Sequence, residues 1–128
     1  MIDLETVAAL ALGMPQTVEE TKYGNRAWTV MGKMFVWERP FSKADLKRFG
    51  DETPPTGPII GLAVDDLIEK EVVLDQGHPG FFTISHFDGH AAVLIQLDVA
   101  EHDTVAEAVV DAWLCQAPAK LAEAYLDA

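Results

Sequence analysis

The chain has one cysteine, nine basic residues against 21 acidic ones, and no long apolar run. A lone Cys115 cannot form an internal disulfide and lacks the paired spacing of a zinc or thiol-redox motif, so it is expected to fill space in the core. A membrane-spanning helix needs roughly 20 apolar residues, and no segment approaches that. The opening MIDLETVAALALGMP is apolar in part, but Asp3 and Glu5 stand where a signal peptide carries basic residues, and the expectation is a cytoplasmic protein. G-x-S-x-G is missing, as are a phosphate-cradling glycine loop and a dinucleotide fingerprint. No catalytic residue, cofactor or metal is expected from motifs.

What is present is an ordinary globular mixture, 49% hydrophobic and 23% charged over 128 residues, which suits one domain spanning 1–128. The net charge of −12 is unevenly spread. Seven of the nine basic residues, Lys22, Arg26, Lys33, Arg39, Lys43, Lys47 and Arg48, lie between positions 22 and 48 beside only Glu38 and Asp45. That segment carries +5, leaving −17 for the rest, and with Phe49 just beyond it the stretch holds six of the eleven aromatics.

Periodicity gives the elements. DLETVAALALG reads as a helix with Asp3 as N-cap. RAWTV and MFVWER read as a β-hairpin turning at Gly32-Lys33, which sets Val30 opposite Phe35, Trp28 opposite Trp37 and Arg26 opposite Arg39. That register puts both tryptophans on one face and leaves two arginines in need of a carboxylate, an anion or solvent. Ser42 and Asp45 have capping-box spacing for a short helix closed by Gly50. IIGLAV reads as a buried strand. DDLIEKEVVLDQG follows as a helix capped at Asp66, and Asp65 is assigned to the same capping role. FFTISHF and HAAVLIQL read as a second hairpin turning at Asp88-Gly89, which would point His86 and His90 to opposite faces and prevent a shared metal. Thr104 and Glu107 have capping-box spacing for a third long helix, and Pro118 opens the last. Hairpins and helices in this order predict an α+β domain, an antiparallel sheet of about five strands with helices packed on one side.

The basic, aromatic segment is the constellation that points to a ligand. Lys22, Arg26, Lys33, Arg39, Lys43, Lys47 and Arg48 would meet phosphates, with Tyr23 stacking on a base, in a non-enzymatic module for nucleic acid. The same asymmetry suits an acidic protein partner or self-association. A small-molecule protein would instead need a concave pocket lined by Trp28, Trp37 and histidine.

ETKYGNRAWTVMGKMF, FFTISHFDGHAAVLIQL and DAWLCQAPAKL, in this order and spacing, resemble the MmcQ/YjbR-like proteins over nearly the whole chain. The resemblance implies a small bacterial cytoplasmic protein with a frataxin-like α+β fold, compared with the double-wing DNA-binding motif in which hairpins act as wings. It implies no catalytic residues. Arg26 stands where members commonly have Pro, which adds charge to the first hairpin.

Overall fold

The computed structural model describes residues 2–128. Its frame is a six-stranded antiparallel sheet in the order β1-β2-β3-β4-β6-β5, with β1 Thr17–Lys22, β2 Asn25–Val30, β3 Lys33–Glu38, β4 Ile59–Ala63, β5 Phe81–Phe82 and β6 Ala92–Gln96. The helices are α1 Leu4–Leu12, α2 Lys43–Phe49, α3 Leu67–Asp75, α4 His102–Gln116 and α5 Ala119–Leu126. The α+β class is as expected, with one strand more.

The added strand is β1, which pairs with β2 through a turn at Tyr23-Gly24 where φ is +54° and +80°. Its sequence, TVEETK, offers few apolar residues, as befits a sheet edge. Side chains hold it in place: Glu19 accepts from the Trp28 indole at 3.1 Å, and Glu20 accepts from the Thr29 hydroxyl at 2.7 Å.

The β2–β3 turn falls at Met31-Gly32, one residue earlier than expected. Both residues have positive φ, +49° and +83°, the combination that matches the natural twist of a hairpin. Val30 therefore faces Lys33, and a bulge carries the register from Thr29↔Met34 to Trp28↔Val36. Trp28 and Phe35 still share the main core, whereas Trp37 passes to the other face. Arg26 faces Thr21 on β1, and its amide donates to Glu38 Oε1 at 3.1 Å, so it is not opposite Arg39.

The second hairpin is also different. Asp88 keeps a negative φ of −59° while Gly89 is at +79°, and the His90 amide donates to the Phe87 carbonyl at 3.0 Å. That is a type II turn, whose geometry splays flanking strands instead of joining them. Residues 83–91 accordingly leave the sheet, form a 3₁₀ turn at Ser85–Phe87, and return at β6. His86 and His90 stack at 6.4 Å with rings 10° from parallel, instead of facing apart.

Helices α1 and α4 cover one face of the sheet. Val7, Ala8 and Ala11 of α1 and Val105, Val109, Ala112 and Trp113 of α4 bury against Trp28, Phe35, Ile60, Val93 and Ile95. Trp113 donates to the Pro15 carbonyl at 3.0 Å, closing the end of this layer. The opposite face carries a smaller cluster, Ile59, Phe87, Ala92 and Leu94 with Trp37, Phe41 and Phe82 around it. Trp37 lies flat on β4 because Gly61 has no side chain; a Cβ there would sit 2.4 Å from the indole.

Helix starts follow the caps in three cases. Asp3, Ser42 and Asp66 each accept from the backbone amide three residues on, and Ser42 with Asp45 completes the reciprocal box. Asp66 does this alone, so Asp65 has no capping role. Helix α4 starts at His102, two residues before Thr104, with Glu101 at the cap position and no side-chain cap.

Candidate functional site

The expected basic site is divided by the fold. Arg26 is held by its own neighbours: Glu19 accepts from Nη2 at 3.0 Å and from Nε at 3.1 Å, and Glu5 accepts from Nη1. Arg39 Nη1 donates to Asp45 Oδ2 at 2.9 Å and to the Pro40 carbonyl at 2.6 Å, with its guanidinium 5.3 Å from the centre of the Phe87 ring. Of the three ways out that the sequence left for these arginines, a carboxylate, an anion or solvent, each takes a carboxylate although they do not face one another, and little of either charge is left for an outside anion.

The remaining cations occupy three places. Lys22 and Tyr23 are at the tip of the β1–β2 turn, with Lys22 3.9 Å from Glu20 and Tyr23 fully exposed. Lys33 starts β3 at the other end of the sheet, roughly 17 Å from Glu38 by strand rise. Lys43, Lys47 and Arg48 are exposed on α2. Arg48 approaches Asp45 Oδ1 at 3.7 Å. Thus α2 gathers three of the seven, while Lys33 is separated from them.

A different site emerges where α3 and α4 meet the ends of β4 and β5. A cleft of about 390 Å³ opens there, the size of a small-ligand site. It is lined by the buried or half-buried Leu62, Val73, Phe81, Ala108 and Leu114 and by the more exposed Asp65, Glu69, Glu107 and Asp111. Helical spacing explains the convergence. Glu69, Val73 and Gln76 line one side from α3, while Glu107, Asp111 and Cys115, each four residues apart, line the other from α4.

No cation among the described residues lies within 4.0 Å of these four carboxylates. The electrostatics register the crowding. Partial burial, then Glu107 and Asp65, raise the Asp111 carboxyl above its ordinary value. Burial and then Asp65 and Asp111 push the Cys115 thiol up to about 11, so at neutral pH it is protonated and a poor nucleophile. Cys115 is half-buried and lines the cleft instead of filling the core, its Sγ donating to the Ala112 carbonyl at 3.2 Å.

Trp28 is wholly buried and Trp37 packs on Gly61, so neither tryptophan lines this cleft; His78 does, beside Phe81. Among the described residues, no group of three or more His, Cys, Asp or Glu side chains is arranged to hold a metal ion. The i, i+4, i+8 run Glu107-Asp111-Cys115 was the sequence signal for this wall, but its acidic counterparts on the other side come from a loop and α3 and could not be paired with it without the fold.

Comparison with known proteins places the chain in a family. The YjbR family profile matches residues 12–115, and the chain is a member of the YjbR family. It is 39% identical over 131 aligned positions, covering 98% of this chain and 97% of the relative, to the uncharacterized proteins Mb2600 of Mycobacterium bovis and Rv2570 of Mycobacterium tuberculosis. No solved structure matches it. No helix is long and apolar enough to cross a membrane among the described residues.

Proposed function

We propose that this YjbR protein is a non-enzymatic binding module that takes an organic cation with an apolar body into the cleft between α3 and α4. The observation that carries this reading is the pairing of an apolar lining with four carboxylates that have no cation of their own. An ammonium beside them would relieve their mutual repulsion, and its carbon skeleton would cover Val73, Phe81 and Leu114. Phenethylammonium is a suitable probe, with 2-phenylethanol as its uncharged counterpart. In an NMR titration the amine should shift the amides of 62–65, 69–78 and 107–115, the alcohol should not, and Glu107→Gln with Asp111→Asn should weaken the amine by about tenfold, the effect of losing two nearby charges at high dielectric. Absence of shifts with the amine, or equal shifts with the alcohol, overturns the reading.

A second reading is favoured by one feature, the fully exposed Tyr23 held at φ +54° on a turn tip beside Lys22. An unburied aromatic in a sparsely populated backbone region suits contact with a base. Nucleic acid would then touch Lys22 and Tyr23, or Lys43, Lys47 and Arg48 on α2, with Arg26 and Arg39 serving the fold. Fluorescence anisotropy with labelled duplex and single-stranded DNA tests it: binding at low salt that Tyr23→Ala or Lys43→Ala/Lys47→Ala weakens supports this reading, and no binding at low salt ends it.

A further inference from the structure

Helix α3 packs Val73 and Leu74 against the core but also buries a charge and exposes an apolar row. Its Lys70 is only 6% exposed, while Ile68 is 77% exposed and Leu67 and Val72 are 49% and 45% exposed. The inward lysine has a structural reason: its ammonium donates to the Phe87 carbonyl at 2.6 Å and the His90 carbonyl at 3.1 Å, tying α3 to the 83–91 segment. The outward apolar row has none within the chain. Ile68 and Val72, four residues apart with Leu67 beside them, form one stripe, and Glu71 and Asp75 flank it without a cation within 4.0 Å.

Helix α2 offers the converse. Leu46 is 47% exposed between Lys43 and Lys47, neither of which has a carboxylate within 4.0 Å, and Arg48 stands beside them. No side chain of α2 pairs with one of α3 in the same chain. Both helices nevertheless flank the same segment, α2 through the groove it forms with Thr83, Ile84 and Ser85, and α3 through Lys70.

We infer that two copies of this chain associate with α2 of each lying on α3 of the other. Such a contact is self-complementary, as a two-fold dimer requires, because each copy contributes both the cationic and the anionic member. Leu46 would cover Ile68 and Val72, and Lys43 and Lys47 would meet Glu71 and Asp75. The −12 charge of each copy opposes association at long range, so the local pairing must supply the specificity.

Charge reversal tests this better than salt, which screens the repulsion and the attraction together. Sedimentation velocity across a concentration series should show the 14.0 kDa chain passing to twice that mass. Lys43→Glu/Lys47→Glu alone and Glu71→Lys/Asp75→Lys alone should each weaken the dimer at least tenfold, and mixing the two variants in equal amounts should restore it. Ile68→Ser should weaken it too, without lowering Tm at a concentration where both proteins are monomeric, because that side chain is exposed in the single copy. A chain that stays monomeric at every concentration, or a dimer indifferent to both reversals and to Ile68→Ser, overturns the inference.

Discussion

Asp45 is the residue on which the expected basic site turns. Its side chain is 1% exposed, its Oδ2 accepts from Arg39 and from the Ser42 amide, and its Oδ1 has no hydrogen-bond partner. Burial alone would raise its pKa, but the Ser42 amide, Arg39 and the Ser42 hydroxyl outweigh it and hold the carboxyl below its ordinary value. Asp45→Asn should therefore destabilise the fold by about 3 kcal/mol, the low end for a broken buried pair because Arg39 keeps 18% exposure. The sign with pH follows. A lowered carboxyl contributes fully above 3.8 and loses that contribution as pH falls through the folded value, so chemical denaturation of protein and variant should converge in acid. The capping box at Ser42 and Asp45 was legible in the sequence, whereas for the arginines it left a carboxylate, an anion or solvent open. What was not legible was which acids would answer, because Glu5 and Glu19 reach Arg26 across α1 and β1.

Among the elements, those with strong local signals came out as expected: α1, α3, β4 and the closing helix after Pro118. The departures each have a local cause that pattern alone does not weigh. TVEETK lacks an apolar face and is strand only because β2 offers it partners, with Tyr23-Gly24 as the one turn signal. Asp88-Gly89 suits more than one turn, and Lys70 favours the splayed form by capping two of its carbonyls. Lys70→Met should then remove the ammonium from both carbonyls, which keep the His90 and Ala92 amides as donors, and cost about 1 kcal/mol, with faster amide exchange confined first to 84–91. Burial lowers the Lys70 pKa, and Asp88 opposes this only in part. The unfolded chain thus holds this proton to higher pH than the native one. Lys70's contribution to stability should rise as pH climbs toward 10.5, and the gap between the protein and Lys70→Met should widen with it.

At the scale of the whole molecule, charge is sorted by the fold in a way that totals do not reveal. Within the basic segment Arg26 and Arg39 are consumed in holding strands and α2 in place, while the lysines stay exposed and the acidic excess is left open at the cleft. Here too the sign can be worked out. Asp111 has a raised pKa, so the native state keeps its proton to higher pH than the unfolded chain, and stability falls as pH rises through that window above 3.8. Glu107→Gln with Asp111→Asn should raise Tm at neutral pH and lose that advantage in acid, as read by thermal denaturation. The order of hairpins and helices announced an α+β fold, but the cleft required knowing that β4, α3 and α4 converge. The borders of the sheet carry a last consequence. One margin is a six-residue ribbon of glutamate, threonine and lysine with a single exposed valine, and the other is a strand of only two residues, so neither provides a ready template for strand addition. This protein should resist fibril growth when concentrated.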